Sequence, residues 1–257
     1  MTDVVAAPLA GRAVLVTGAS SGIGRAIAIA AARAGADVAF TYRVNEDGAR
    51  EVEREIRGLG RRAAVIQLDV ADDLSVRALG PAARDALGRL DVWVNNAGAD
   101  ILTGSGASLS AVEKLDRVLA VDLRGTILAS WHAAEMLGAQ EQGGVIINMS
   151  WDHVLTGMPG LNPQIYASVK GGILAFSKSL ARSVAPRVRV NVLAPGWIET
   201  SFGASLDGDM RREVAESTPL KRWGTPDDVA GAAVFLASPA AAFLTGQVIL
   251  VGGGVVM

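Results

Sequence analysis

The sequence contains no cysteine, which excludes disulfides and thiolate metal centres. Histidine is almost as scarce: His132 and His153 are too few for a His-rich metal site, and no metal is expected. Charge is low and nearly balanced, 24 Lys and Arg against 26 Asp and Glu, for a formal net charge of −2. That balance supplies neither a nucleic-acid surface nor a polybasic membrane patch. No apolar run reaches membrane-spanning length without charges. The first eleven residues, Met1 to Gly11, hold Asp3 and no basic cluster, so they do not read as a signal peptide. The expectation is a cytoplasmic protein without nucleic-acid or membrane partners. Aromatics make up 5% of the chain, yet five of them are tryptophans. Trp131 reads as core packing. Trp151 and Trp197 follow predicted strands, where pockets form, and are pocket candidates as much as core residues.

What is present is apolar and glycine-rich: 257 residues, 50% hydrophobic, with 30 glycines. This suits one large globular domain spanning residues 1–257. Strands are predicted at Arg12–Thr17, Asp37–Tyr42, Ala63–Leu68, Asp91–Val94, Gly144–Met149, Arg187–Leu193 and Gln247–Val251. Helices are predicted at Gly22–Ala34, Glu46–Leu59, Asp72–Leu87, Ser110–Leu137, Pro163–Val184 and Pro226–Leu236, with an irregular segment before Thr225. Alternation of this kind implies βαβ units, hence an α/β fold with a doubly wound parallel sheet covered by helices on both faces.

The run Thr17-Gly-Ala-Ser-Ser-Gly-Ile-Gly24 joins the first strand to the first helix. Gly18 permits the sharp turn, Gly22 lets the backbone approach a pyrophosphate, and Gly24 permits close helix–sheet packing. The helix N-terminus supplies N–H donors for the anion. Asp69 and Val70 follow the third strand, and Asn95-Asn-Ala-Gly98 follows the fourth, at the sheet edge where open α/β folds bind ligands. Asp69 can accept from an adenine amino group, and Ala97 and Gly98 leave room for a ribose. Tyr166 and Lys170 lie four residues apart on a predicted helix, so they share a face. An ammonium beside a phenol favours the phenolate and lowers a pKa of about 10. Such a phenol exchanges protons with a carbonyl or alcohol oxygen.

With Pro195-Gly-Trp-Ile-Glu-Thr200 and Leu244-Thr-Gly-Gln-Val-Ile249 added, the chain resembles the short-chain dehydrogenase/reductase family over nearly its whole length, its 3-oxoacyl-ACP reductase-like and glucose dehydrogenase-like members in particular. The resemblance implies a Rossmann-type fold of about seven strands, NAD(P)(H) as hydride carrier, a ketone and a secondary alcohol as substrate pair, and a homotetramer or homodimer. It makes Tyr166 the general acid/base and gives Lys170 the cofactor ribose as well. Ser20, Ser21, Ile23, Asn96, Pro195, Gly196, Ile198 and Thr200 become cofactor contacts, the last two at the carboxamide. Ser150 is the best partner for the substrate oxygen, with Asp152 and His153 as alternatives, because Trp151 stands where similar sequences carry a serine. Asp122 stands at the position of a relay asparagine, and Gly252 where similar sequences carry aspartate. Trp151, His153, Trp197 and Phe202, with Met158 and Leu161, are the candidate substrate wall, which favours a hydrophobic or acyl-type carbonyl compound. The second strand ends Thr41-Tyr42-Arg43 without an acid, and Arg43 can pair with a ribose 2′-phosphate. NADP(H) is therefore preferred and NAD(H) allowed. The replacements at Trp151 and Asp122 leave a second class open, a nucleotide-binding protein of this fold with altered or absent redox chemistry.

Overall fold

The computed structural model describes residues 7–201, 203 and 206–257. Its centre is a parallel sheet of seven strands: β1 (Ala13–Val16), β2 (Asp37–Tyr42), β3 (Ala63–Gln67), β4 (Val92–Asn95), β5 (Gly144–Met149), β6 (Val188–Pro195) and β7 (Val248–Val251). They lie in the order β3-β2-β1-β4-β5-β6-β7. Val14 is in register with Val38 on one side and Val92 on the other. Because the order reverses between β1 and β4, a crevice opens beyond their carboxyl ends. The fold is the expected Rossmann-type, doubly wound sheet.

Alternation along each strand feeds two apolar layers. Val14, Val16 and Phe40 pack beneath α1 (Gly22–Arg33), α2 (Glu46–Gly58) and α9 (Pro226–Ala237). Leu15, Trp93 and Ile146 pack on the opposite face, beneath α3 (Asp73–Leu87), α6 (Gly125–Gly138) and α7 (Leu161–Val184). With both faces covered, the strands are largely apolar on both sides rather than strictly alternating with polar residues. Among the described residues, no helix is long and apolar enough to cross a membrane.

Several elements differ from the sequence expectation. The helix expected over Ser110–Leu137 is three pieces: α5 (Ala111–Val118), a π-helical stretch Leu119–Arg124, and α6. Ser110 caps α5 in a capping box with Glu113. A short α4 (Gly104–Ala107) precedes it. The segment expected to be irregular contains α8 (Gly208–Ser217), whose N-cap Asp207 accepts from Met210 N at 2.8 Å. Trp131 is not a core residue. The buried stripe of α6 is Ala129, Ala133 and Leu137, at fourfold spacing, which turns Trp131 outward to 55% exposure, edge-on against Phe176.

Candidate active site

The loop after β1 and the loop after β4 interlock. Gly18 has φ +65°, and a Cβ there would stand 2.8 Å from the Cα of Ala97. Asn96 Nδ2 donates to the carbonyls of Thr17 and Gly18 at 2.9 and 3.0 Å, and Thr17 Oγ1 accepts from the N–H groups of Asn96 and Ala97. Asn96 is thus a strut for the glycine turn as well as a wall of the cleft. A Cβ on Gly24 would fall under 3.0 Å from the Gly18 carbonyl oxygen, so α1 starts as close to the turn as a backbone allows. Unlike α2, α3, α5, α8 and α9, α1 has no side chain capping its N-terminus and no acid in its first turn. Its free N–H groups face a cleft of about 550 Å³. A phosphate group suits that end on both hydrogen-bonding and dipole grounds.

Gly18, Ser20, Ser21, Ile23, Gly24, Arg43, Asp69, Val70, Asn96, Ala97, Gly98, Tyr166 and Thr200 all border this cleft, and Gly22 turns its floor at φ +55°. Arg43 has no ion-pair partner among the described residues. Asn45, which the sequence did not flag, also lines the cleft, with Nδ2 3.4 Å from the Ser20 carbonyl. Gly48 marks it: a Cβ there would collide with Asn45 Nδ2 and the Ser20 carbonyl. These residues suit a dinucleotide, with its pyrophosphate at α1.

Tyr166 and Lys170 share one face of α7, with Lys170 Nζ 5.2 Å from the phenol ring centroid. Lys170 Nζ also pairs with Asp122 Oδ2 at 3.0 Å, both side chains being almost wholly buried. Asp122 Oδ1 accepts from Ala99 N at 2.8 Å, which ties the π-helical stretch to the loop after β4. Burial pushes the Tyr166 phenol up. The Lys170 ammonium opposes this, the Asp122 carboxylate adds to it, and the phenol ends above the ordinary tyrosine value. The lowered phenol expected from the Tyr–Lys pair is therefore not what the protein alone presents. Burial also works against the Lys170 ammonium, but Asp122 and the Tyr166 oxygen outweigh it and hold that pKa above the ordinary lysine value.

A second hollow, of about 400 Å³, adjoins the first and has Tyr166 in its wall. Ser150, Trp151, Lys170, Pro195, Gly196, Trp197, Ile198 and Thr200 border it, together with Met158. Pro195, Gly196 and Ile198 border this hollow, which shares Ile23, Asn96, Gly98, Tyr166 and Thr200 with the first. Ser150 is not a free donor, because its Oγ–H donates to the Lys170 carbonyl at 2.8 Å. His153 does not line the hollow: it is buried behind Trp151, with Nδ1 2.6 Å from Asp152 Oδ1. Asp152 is fully buried and, like His153, is not among the residues that border the hollow. Burial holds the Asp152 carboxyl above the usual carboxylate range, and the histidine opposes this only in part. Leu161 is 55% exposed and does not border the hollow. Phe202 lies outside the described residues. Trp223 and Asn162 do border it and were not singled out as site residues. Asn162 stands four residues before Tyr166, a spacing visible in the sequence once α7 is known to start at Leu161. Among the described residues no cluster of His, Asp or Glu is able to hold a metal.

Residues 18–256 match the family described as enoyl-(acyl carrier protein) reductase. The chain is 37% identical over 252 residues to 3beta-hydroxysteroid dehydrogenase 1 of Eggerthella lenta, covering 97% of this chain and 95% of that one. It superposes with a TM-score of 0.88 on a 7 alpha-hydroxysteroid dehydrogenase complexed with NADH and 7-oxo glycochenodeoxycholic acid, at 31% identity, covering 100% of this chain and 98% of that one. A short chain dehydrogenase from Burkholderia cenocepacia in complex with NADP matches with a TM-score of 0.86 at 35% identity, covering 96% and 99%.

Proposed function

Because the chain belongs to the short-chain dehydrogenase/reductase family and is an oxidoreductase of that family, we propose that it interconverts a ketone and a secondary alcohol, acting on a hydrophobic or acyl-type carbonyl compound. The observation that carries this reading is that Tyr166 borders both the dinucleotide-shaped cleft and the apolar hollow beside it. A proton donor at that junction is where a carbonyl compound and a hydride carrier would meet. A bound nicotinamide cofactor supplies the hydride, and the chain supplies the proton and the orientation. In reduction, the Tyr166 Oη–H bond breaks as its proton passes to the carbonyl oxygen, and the alcohol O–H forms. In oxidation the phenolate takes the proton back. Lys170 stabilises the phenolate with its ammonium, and Asp122 holds that ammonium in place. Arg43 and the absence of an acid at the end of β2 support a preference for NADP(H), with NAD(H) allowed. Ser20, Ser21, Asp69 and Thr200 are proposed as further cofactor contacts, the exposed aromatic residues Trp131, Phe235 and Phe243 support a homotetramer or homodimer, and a cytoplasmic location is proposed with them.

A panel of ketones and alcohols, followed by the absorbance of the reduced nicotinamide, tests the reading. Wild type is expected to turn over a hydrophobic member of the panel. Tyr166→Phe is expected to lose at least about 10²-fold in kcat while binding the cofactor unchanged. The commitment of Ser150 to the Lys170 carbonyl favours a second reading, nucleotide binding without redox turnover. Cofactor binding by a wild type that turns over nothing on the panel is the result that would establish it.

A further inference from the structure

Asp152, His153 and Trp151 form a built cluster that the mechanism above leaves unused. Asp152 Oδ1 accepts from the His153 backbone N–H at 2.7 Å and lies 2.6 Å from His153 Nδ1. Oδ2 has no hydrogen-bond partner among the described residues. It is packed against two glycines, and a Cβ on Gly196 or on Gly252 would fall under 3.0 Å from it. Gly252 is thus a requirement of this site, since a side chain there would expel Asp152. His153 stacks on Trp151, with centroids 4.9 Å apart and planes at 23°. On another side it meets Trp197 edge-on at 6.0 Å. Trp151 in turn stands edge-on to the Tyr166 ring at 5.5 Å and 68°. The Asp152 carboxyl, the His153 imidazole and the Trp151 indole form a continuous chain of contacts that ends at Tyr166.

A carbonyl oxygen that gains charge is stabilised by each donor aimed at it, and Tyr166 is only one. Several other donors around the hollow are committed. Ser150 donates to the Lys170 carbonyl, Lys170 pairs with Asp122, Trp223 Nε1 donates to the Arg211 carbonyl, and Asn96 Nδ2 is held by two carbonyls of the glycine turn. Asn162 lies one helical turn from Tyr166, and its Oδ1 accepts from Lys114 Nζ at 3.2 Å. The indole N–H of Trp151 is a donor without acceptor capacity. It has no partner among the described residues, and its ring touches Tyr166.

We propose that the Trp151 indole N–H is the second hydrogen-bond donor to the substrate oxygen, and that Asp152 and His153 are positioning residues that hold the indole there. The inference rests on the reductase reading. The decisive variants are Trp151→Phe, which keeps a stacking ring, and Trp151→benzothienylalanine, which keeps the volume of the indole and removes only its N–H. Each is compared with wild type on the ketone that wild type reduces best, after cofactor affinity and near-UV circular dichroism have shown a folded holoenzyme. The expected result is a fall in kcat of about 10²-fold in both, the usual cost of losing one such donor, with cofactor affinity unchanged. Asp152→Asn and His153→Gln are expected to lower kcat about tenfold with KM nearly constant, the split that marks misplacement in the transition state rather than loss of fold. A benzothienylalanine variant whose kcat stays within about threefold of wild type, or whose loss lies only in KM, overturns the inference and leaves the reductase reading standing. A wild type that reduces no ketone overturns both.

Discussion

Asp122 changes the electrostatics of the Tyr–Lys pair more than it changes the shape. An asparagine in its place would still accept from the Ala99 N–H, but only the carboxylate brings a negative charge 3.0 Å from the Lys170 ammonium. That charge keeps Lys170 protonated and works against forming a second negative charge on Tyr166. Asp122→Asn is therefore expected to lower the Tyr166 pKa. Alcohol oxidation needs the phenolate and rises with pH through that pKa, so its ascending limb in kcat/KM should move to lower pH. Ketone reduction needs the phenol, so its descending limb should move the same way. A limb that moves to higher pH in this variant would show that Asp122 does not act through Tyr166. Asp122→Ala is a different experiment, because it removes the acceptor oxygens for Ala99 N–H and Lys170 Nζ as well as the charge, at a cost of about 3–5 kcal/mol in stability. Chemical denaturation should separate the two variants. At the far end of the cleft, Arg43→Ala should reduce kcat/KM for NADPH by about 10- to 100-fold, the worth of charge-assisted hydrogen bonds to a phosphate, and leave NADH nearly untouched. Equal losses with both cofactors would remove Arg43 from the 2′-phosphate.

The turn between β1 and α1 tests whether the glycines are there for space. Gly24→Ala drives a methyl into the Gly18 carbonyl and Asn96, and it should weaken dinucleotide binding and lower Tm together. Gly58→Ala, at the end of α2 with open space around the added carbon, should be neutral or stabilise by up to about 1 kcal/mol. Isothermal titration and thermal melts of the two variants give the comparison, and a Gly24→Ala protein that binds as wild type does would refute the steric reading. The glycine turn was legible in the sequence because its demands are local: a strand, a turn and a helix within a dozen residues. So were the apolar strands, whose burial on both faces writes itself as uninterrupted hydrophobicity. The break at Leu119–Arg124 was not, since one extra residue in a helical turn leaves the apolar pattern almost intact. Trp131 misled because a tryptophan carries no mark of which helix face will meet the sheet. Asp152 misled for a related reason. Its burial follows from two glycines, Gly196 and Gly252, that approach it from distant parts of the chain.

The sheet order joins these parts by placing the β1 and β4 loops side by side and bringing α7 across their ends, so that one phenol faces two hollows. The same architecture leaves large aromatics on the outside. Trp131 on α6 lies against Phe176 on α7, while Phe235 on α9 is 43% exposed and Phe243, before β7, is fully exposed. Solvated aromatic surface on two of the helices that cover one sheet face, and again beside the last strand, supports the proposed self-association. A symmetric assembly using either surface buries the same residue from both partners, so a single charge enters the interface twice. Light scattering coupled to gel filtration should therefore show wild type as a dimer or tetramer, and Trp131→Glu and Phe243→Glu as smaller species. If the two surfaces serve separate axes, each variant alone should halve the assembly and the double variant should be monomeric. Dinucleotide affinity should survive dissociation, because a single chain already builds the cleft from Gly18 to Thr200. A wild type that runs as a monomer at micromolar concentration would show that these aromatics serve something other than self-association.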